Sequence, residues 1–329
     1  MMPDRSTFLA IERSVKIRIE EQPLRNELSE FIRSFPHASF FHSFPWIDSL
    51  TATFPNFKPR WITAREGGEL VGLMPIVKIS TGPFHTFHSL PFGTYGDPLV
   101  RDCGVYGELL KVFFGLVASF SCVETAACIY SDVCDEYIPT GVDKTHRECS
   151  MIDLTEGFDE YWAHGLSATR RKICRRNRGE IIIRPLDNEG EVDRFYGIYL
   201  EESSKWGGVH PYPIDLFREL YRRRGGGVVI WGAFRGGRLL GGHVDMYFGK
   251  MAQAWQAGMS EESYEYGAGV LLVVAAVEEA CRRGIRFFNL GSSGGNEGLL
   301  YFKRSMGGRE HRYKIVSREK KWLSWARKK

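Results

Sequence analysis

The sequence predicts an α/β fold built from two similar units, each a mixed β-sheet flanked by helices. Two observations carry this prediction. First, "WITAREGGELVGLMPI" (Trp61 to Ile76) aligns without a gap on "WGAFRGGRLLGGHVDM" (Trp231 to Met246). Five positions are identical: Trp61/Trp231, Arg65/Arg235, Gly67/Gly237, Leu70/Leu240 and Gly72/Gly242. Each stretch reads as strand, glycine-containing turn, strand, which is a β-hairpin. Second, an apolar helix and then a strand follow each hairpin. Tyr106 to Phe120 precedes "CVETAACIY", and Ser263 to Arg283, stopped by Gly284, precedes "IRFFNL". Hairpins favour glycine on steric grounds, so the five matches alone prove little. The repeated order is what implies a duplicated unit. No low-complexity linker separates the copies, so they are expected to pack together. The boundary is expected near residues 150 to 160, with one unit over 1–155 and the other over 156–329.

The remaining elements fit around this repeat. "SVKIRIE" alternates Val15, Ile17 and Ile19 and reads as a strand. Leu24 to Ser34 and Pro45 to Thr53 read as helices, the second opening with proline in its first turn. Phe158 to Arg178 reads as one long helix with Phe158, Trp162, Leu166 and Ile173 on its buried face, and Val192 to Lys205 as another. In "FNLGSSGGNEGLLYFKRSMGG" a strand runs into the loop "GSSGG". A short helix follows, with Asn296 as its N-cap and Gly307/Gly308 as its stop.

Composition narrows the function classes. The chain has 329 residues, 43% hydrophobic and 26% charged, as in a soluble globular protein. No window approaches the run of about 18 apolar residues of a membrane span. The apolar piece of "MMPDRSTFLAIERS" is interrupted by Glu12 and Arg13, unlike a signal peptide. Seven cysteines without CxxC spacing point to free thiols in a reducing cytoplasm, and no Cys/His spacing suggests a metal site. The net charge of +4 permits an anionic partner without demanding one.

The glycines of the last stretch invite a phosphate-binding reading, but a Walker loop needs GxxxxGK followed by Ser or Thr. Here "LLYF" separates Gly298 from Lys303, and the pattern fails. Helical spacing instead puts Lys303 on one face with Leu299, Phe302 and Met306, while Arg304 points away. A lysine in an apolar stripe must reach water, meet an anion or face a ligand cleft.

A second charged feature is "ATRRKICRRNRGE". Six of the nine residues from Arg170 to Arg178 are Arg or Lys, with no acid between them. Arg171, Arg175 and Arg178 lie opposite the apolar face; Arg170 and Arg176 join them as candidate anion-binding residues. The helix is either a solvated face or a site for RNA backbone, a nucleotide-sugar diphosphate or an acidic glycan. Without aromatics in the cluster, sequence-specific RNA reading is not supported, and no DNA partner is expected.

The order "AGMSEESYEYGAGVLLVVAAVEEACRRGIRFFNLGSSGGNEGLLYFKRSMGG" resembles the C-terminal half of the FemAB-like proteins, which include the Fem-type peptidyltransferases and related GNAT-like acyltransferases. "FRGGRLLGGHVDMYFG", "YLEESSKWGG" and "FFHSFPWIDSL…LPFGTYGDPLV" extend the resemblance over most of the chain. It implies two tandem GNAT-like domains, with an acyl-transfer site in the second. It also implies that the Phe-Lys pair at that site is Phe302 and Lys303, the lysine stabilising an oxyanion. Glu297 joins them as a catalytic candidate. With no Cys or Ser nucleophile motif, direct attack by a substrate amine is favoured over a covalent intermediate.

The resemblance leaves two donors open, acyl-CoA or aminoacyl-tRNA, with no tightly bound cofactor. GNAT-type enzymes hold CoA pyrophosphate with a [QR]xxGx[GA] loop at a helix N-terminus. "YEYGAG" supplies Gly267 and Gly269 but puts Tyr264 where Gln or Arg would stand. Asn289 and Ser292 complete the donor candidates. No coiled-coil insertion for tRNA is evident. For the acceptor, an amine on a cell-envelope or polysaccharide precursor, the candidates are Trp206, His210, Asp245, Gln256 and Asp97. Asp97 matches the Fem-type cleft loop, or merely forms a turn before proline. A different class of function, a non-catalytic anion-binding module built on Arg170–Arg178, remains the alternative.

Overall fold

The computed structural model describes residues 15–92, 94–131, 135–205 and 211–320. Strand β1 (Val15–Glu20) and helices α1 (Arg25–Arg33) and α2 (Phe44–Thr53) come first, Pro45 lying in the first turn of α2. Strands β2 (Phe57–Glu66), β3 (Glu69–Thr81), β4 (Phe84–Ser89) and β5 (Leu99–Val100) follow. Helix α3 (Cys103–Gly115), N-capped by the Asp102 carboxylate, leads to β6 (Cys122–Ile129) and β7 (Asp143–Asp153).

The second half opens with α4 (Phe158–Glu160), α5 (Ala168–Asn177), β8 (Ile182–Pro185), α6 (Glu189–Ser203) and α7 (Ile214–Arg222). Strands β9 (Val228–Arg235), β10 (Arg238–Phe248) and β11 (Met251–Met259) come next. Then come α8 (Glu261–Glu265), α9 (Ala268–Arg282), β12 (Phe287–Asn289), α10 (Glu297–Ser305) and β13 (Arg309–Glu319). Among the described residues, no helix is long and apolar enough to cross a membrane.

The fold is α/β, and its strands join one mixed sheet in the order β1-β2-β3-β4-β6-β13-β7-β12-β11-β10-β9-β8, with β5 on β3. Parallel pairing occurs where β4 meets β6 and where β11 meets β12, and α3 and α9 are the two crossover helices. Each half therefore repeats hairpin, third strand, helix and parallel strand. At the centre the halves exchange strands. β7, following β6 in the chain, pairs with β12, while β13, the last strand, pairs with both β6 and β7.

The repeat is present, but the ungapped alignment is one residue out of step along its whole length. In the β2–β3 hairpin Gly67 and Gly68 form the turn, and Val71 is the extra residue between Leu70 and Gly72. In β9–β10 the turn is Gly236 and Gly237, and Leu240 is the extra residue. Turn and bulge superpose only when Gly67 matches Gly236 and Gly72 matches Gly241. All four turn glycines have positive φ, which a two-residue hairpin of this twist requires.

One aromatic core joins the halves: Phe41, Trp46 and Tyr95 pack with Phe195, Tyr199 and Phe217. Each such buried side chain contributes roughly 1.5–3 kcal/mol. Separate cores lie beneath α3 (Leu109, Phe113) and beneath α9 (Leu272, Ala276).

Two expected helices are broken. Phe158 to Arg178 is interrupted after a π-helical turn, Tyr161–Gly165, because Leu166 turns extended and buried and Ser167 restarts the helix as the N-cap of α5. Ser263 to Arg283 is interrupted at Gly267, whose φ of +61° separates α8 from α9. A Cβ there would lie 2.5 Å from Ile173 Cγ2, so only glycine lets α5 approach this closely.

Candidate active site

The site is built around α10 and the loop before it. Asn296 caps the helix, its Oδ1 accepting from Leu299 N at 2.9 Å, and Gly307 ends it at φ +89°. Met306 is fully buried, Lys303 is 6% exposed and Phe302 is half-buried. Leu299, expected on the same face, is 40% exposed. Lys303 neither reaches water nor faces an anion. Its Nζ donates to the carbonyl oxygens of Gly291 (2.9 Å) and Ser292 (2.8 Å), tying the glycine loop to the helix. Burial lowers the Lys303 pKa from 10.5 to about 8, opposed weakly by the nearby Cys149 thiol.

Beside this loop, at the seam where the halves exchange strands, opens a cavity of about 690 Å³. Arg147 and Cys149 of β7, Tyr313 and Lys314 of β13, and Ser292 and Glu297 of the loop and α10 contribute to its walls. Ser292 lines the cavity and accepts from Lys303, so the ammonium lies one residue behind the wall. Cations and acids both line it, and Lys314 pairs with Asp135 at 3.1 Å. Tyr313 ends a column of stacked rings: it lies 4.5 Å from Tyr130, which lies 3.9 Å from Tyr95. The column runs into the shared core, where Tyr95 stacks on Phe41.

The structure thus joins Asn289, Ser292 and Lys303 through one loop, with Glu297 on the cavity wall beside it, while the Phe302 ring packs against the core beneath α9. Asn289 is buried; its Nδ2 donates to Tyr95 Oη at 2.6 Å and its Oδ1 accepts from Gly291 N at 2.7 Å. Asp97 is buried near Lys314, its carboxylate accepting from Tyr130 N (2.8 Å) and Ser131 N (3.1 Å).

Other candidates lie apart. Asp245 is fully buried on the face of β10 that α9 covers, paired with His243 Nδ1 at 3.1 Å, and burial raises its pKa. Gln256, half-buried on β11, lies opposite Val244. Tyr264 is 63% exposed on α8 and donates to Glu202. Gly267 and Gly269 flank the start of α9, which has no side-chain cap. Trp206 and His210 lie outside the described residues. Sequence reading passed over Arg147 and Tyr313, because only the long-range pairing of β7 with β13 brings their strands to the site, and Tyr95, which reaches it from the loop after β4 through its bond to Asn289.

The basic helix α5 is divided in use. Arg170 Nε donates to Ser305 Oγ at 2.9 Å, and its guanidinium lies 5.1 Å over the Phe302 ring. Arg171, expected to point away from the core, folds back and donates to the carbonyls of Trp162, Ala163 and Leu166. It satisfies the orphan acceptors of the broken helix. Arg176 donates to Glu265 O at 3.4 Å, beside the start of α9. Lys172, Arg175 and Arg178 are exposed.

Comparison with known proteins agrees with this architecture. Residues 165–304, which hold α5, the second hairpin, α9 and Lys303, match the family model described as an acetyltransferase (GNAT) domain. No curated protein sequence matches the chain. Among solved structures the chain is similar to FemX (12% identity, TM-score 0.71, covering 90% of this chain and 96% of that one). It is similar to a tandem GNAT protein from the clavulanic acid biosynthesis pathway (15%, TM-score 0.56, 93% and 98%). It is also similar to the C-terminal domain of an Agrobacterium fabrum protein described as a lysylphosphatidylglycerol synthetase (13%, TM-score 0.60, 92% and 94%). The FemAB-like resemblance, with GNAT-like units in tandem, stands at the level of the fold.

Proposed function

We propose that this protein transfers an acyl or aminoacyl group from acyl-CoA or aminoacyl-tRNA to an amine of a cell-envelope or polysaccharide precursor. The observation that carries this reading is the uncapped start of the 15-residue helix α9 within the segment that matches a GNAT domain. Free backbone amides there suit a donor phosphate, and Arg176 stands beside them. β11 pairs with β12 over only Met251–Gln253, and the ladder ends at Asn289, where the chain enters the loop that Lys303 holds. The acceptor binds in the seam cavity.

In this reaction the acceptor nitrogen attacks the donor carbonyl carbon, and the electron pair of the C=O bond moves to oxygen. Lys303 stabilises that oxyanion with an N–H of its desolvated ammonium. Collapse then breaks the bond to the donor sulfur or ribose oxygen, and that leaving group takes up the proton the amine gives up, departing as a thiol or hydroxyl. Relatives described as FemX and as a lysylphosphatidylglycerol synthetase support an envelope acceptor. Lys303→Met is expected to lower the transfer rate by about 10²–10³-fold with the fold intact by circular dichroism. Because the ammonium must stay charged, the wild-type rate is expected to fall as pH rises through about 8. Undiminished turnover by Lys303→Met would remove the lysine from the mechanism.

The exposed cations Lys172, Arg175 and Arg178 favour one other reading, a non-catalytic module for polyanions. It predicts RNA or acidic-glycan binding that weakens steeply with salt, with no acyl transfer from either donor.

A further inference from the structure

Lys303 is oriented by the carbonyls of Gly291 and Ser292, and those carbonyls need an anchor of their own. Ser150 N supplies part of it, donating to Gly291 O at 3.1 Å. Asn289 supplies the rest. Its Oδ1 holds Gly291 N at 2.7 Å, and its Nδ2 is held in turn by Tyr95 Oη at 2.6 Å. Tyr95 belongs to the first half of the chain and is 4% exposed. Its ring is fixed between Phe41 (6.1 Å, 18° between planes) and Tyr130 (3.9 Å, 16°).

The backbone around Tyr95 is held in an uncommon form. Leu90 and Phe92 both have positive φ, 60° and 73°. This is the left-handed region, unfavourable by roughly 1–2 kcal/mol for each residue with a side chain. Gly96 approaches Ser89 so closely that a Cβ would lie 2.4 Å from its carbonyl oxygen. Three further bonds hold the loop: Ser89 Oγ to Gly96 O (2.8 Å), Thr94 Oγ1 to Leu90 O (2.9 Å) and Gly96 N to Cys128 O (2.8 Å). Strain that the surroundings over-determine points to a placed group. The group this loop places is the Tyr95 hydroxyl.

We infer that Tyr95 is a positioning residue for Lys303, acting through Asn289 and the Gly291–Ser292 carbonyls. The first half of the chain thereby sets the lysine of the second. Its meaning for catalysis rests on the proposed role of Lys303, but the relay can be tested without any substrate.

The test is competitive labelling with acetic anhydride across pH, following the Lys303 peptide by mass spectrometry. The wild-type midpoint is expected near 8. In Tyr95→Phe the loop loosens, water reaches Nζ, and the midpoint rises by about one pH unit toward that of a free lysine. Asn289→Ser, which cuts the same link from the other side, shifts it likewise, and adding Tyr95→Phe to Asn289→Ser gives no further shift. Phe41→Leu, which disturbs the ring stack but keeps the hydroxyl, leaves the midpoint in place. An unmoved midpoint in Tyr95→Phe, or an equal shift in Phe41→Leu, overturns the relay. Acyl transfer separates the two readings. Turnover reduced about tenfold in Tyr95→Phe with an unmoved midpoint sinks the relay but not the reaction. A shifted midpoint, in a protein that transfers no acyl group from either donor, supports the relay and sinks the reaction.

Discussion

Asp97 and His42 are fully buried neighbours whose titrations are displaced in opposite directions. His42 Nδ1 accepts from Ser39 N (3.1 Å), so its proton sits on Nε2 and is donated to Asp97 O (3.0 Å). Burial lowers its pKa from 6.5 to about 4. Burial raises the Asp97 carboxyl from 3.8 to about 6, against two amide donors that favour the charged form. The stabilities these shifts carry have opposite slopes. Asp97 binds its proton more tightly when folded, so its contribution is present below about 4 and lost as pH rises to 6. His42 binds its proton less tightly when folded, so its contribution is present above 6.5 and lost as pH falls to about 4. Each slope is about 1.4 kcal/mol per pH unit, and between pH 4 and 6 they offset. Urea unfolding of Asp97→Asn should therefore gain stability with pH in that window relative to wild type, and His42→Gln should lose it. Profiles parallel to wild type would show that neither shift is real. At this scale the sequence is legible only in part. Helical spacing places Lys303 beside Met306, but that it meets two carbonyls depends on a loop conformation that spacing does not encode. Asp97 before proline suggests a turn. The amides it holds, Tyr130 N and Ser131 N, lie at the end of a different strand.

At the scale of elements, α5 shows how a run of like charges can be mostly structural at one end and free at the other. The charge run is legible, as is the repeated hairpin. The break after Leu166 is not, because Ser167 is a modest cap in the middle of a good helical pattern and docking decides: its N–H donates to Ser305 O at 3.0 Å. Once the helix breaks, its carbonyls need donors, and Arg171 supplies them. Arg171→Ala should therefore cost about 1.5–3 kcal/mol in urea unfolding, as for a hydrogen bond to a charged group. Arg175→Ala, exposed on the same helix, should fall within about 0.5 kcal/mol. Equal losses would mean that the fold-back of Arg171 contributes nothing. Gly267 is the matching device at the other end of α5. Gly267→Ala meets both the left-handed backbone and Ile173, and Ile173→Ala should relieve the contact but not the backbone strain.

At the scale of the molecule, the strand exchange decides how the two halves can come apart. The duplication is readable from local order, but the order β6-β13-β7-β12 is not, since β13 and β6 are far apart in the chain. Without β13, the facing edges of β6 and β7 would both lose their hydrogen-bond partners, and Val316 would leave a core otherwise built by the first half, among Ile62, Leu109 and Phe113. Val316 is fully buried. Val316→Ala should destabilise by about 1–3 kcal/mol through lost burial and the cavity left behind. The informative question is where that loss is felt. If each half opened independently, only β2–β3 and α3 would exchange their amides at lower urea, and β9–β10 and α9 would keep the wild-type midpoint. The shared aromatic core and the interleaved strands predict instead that both hairpins lose protection together, at one lowered midpoint. Hydrogen exchange read by mass spectrometry across a urea series distinguishes the cases. A midpoint that moves in the first half alone would mean that the seam does not couple the halves and that Tyr95 could loosen from Asn289 without the second half unfolding.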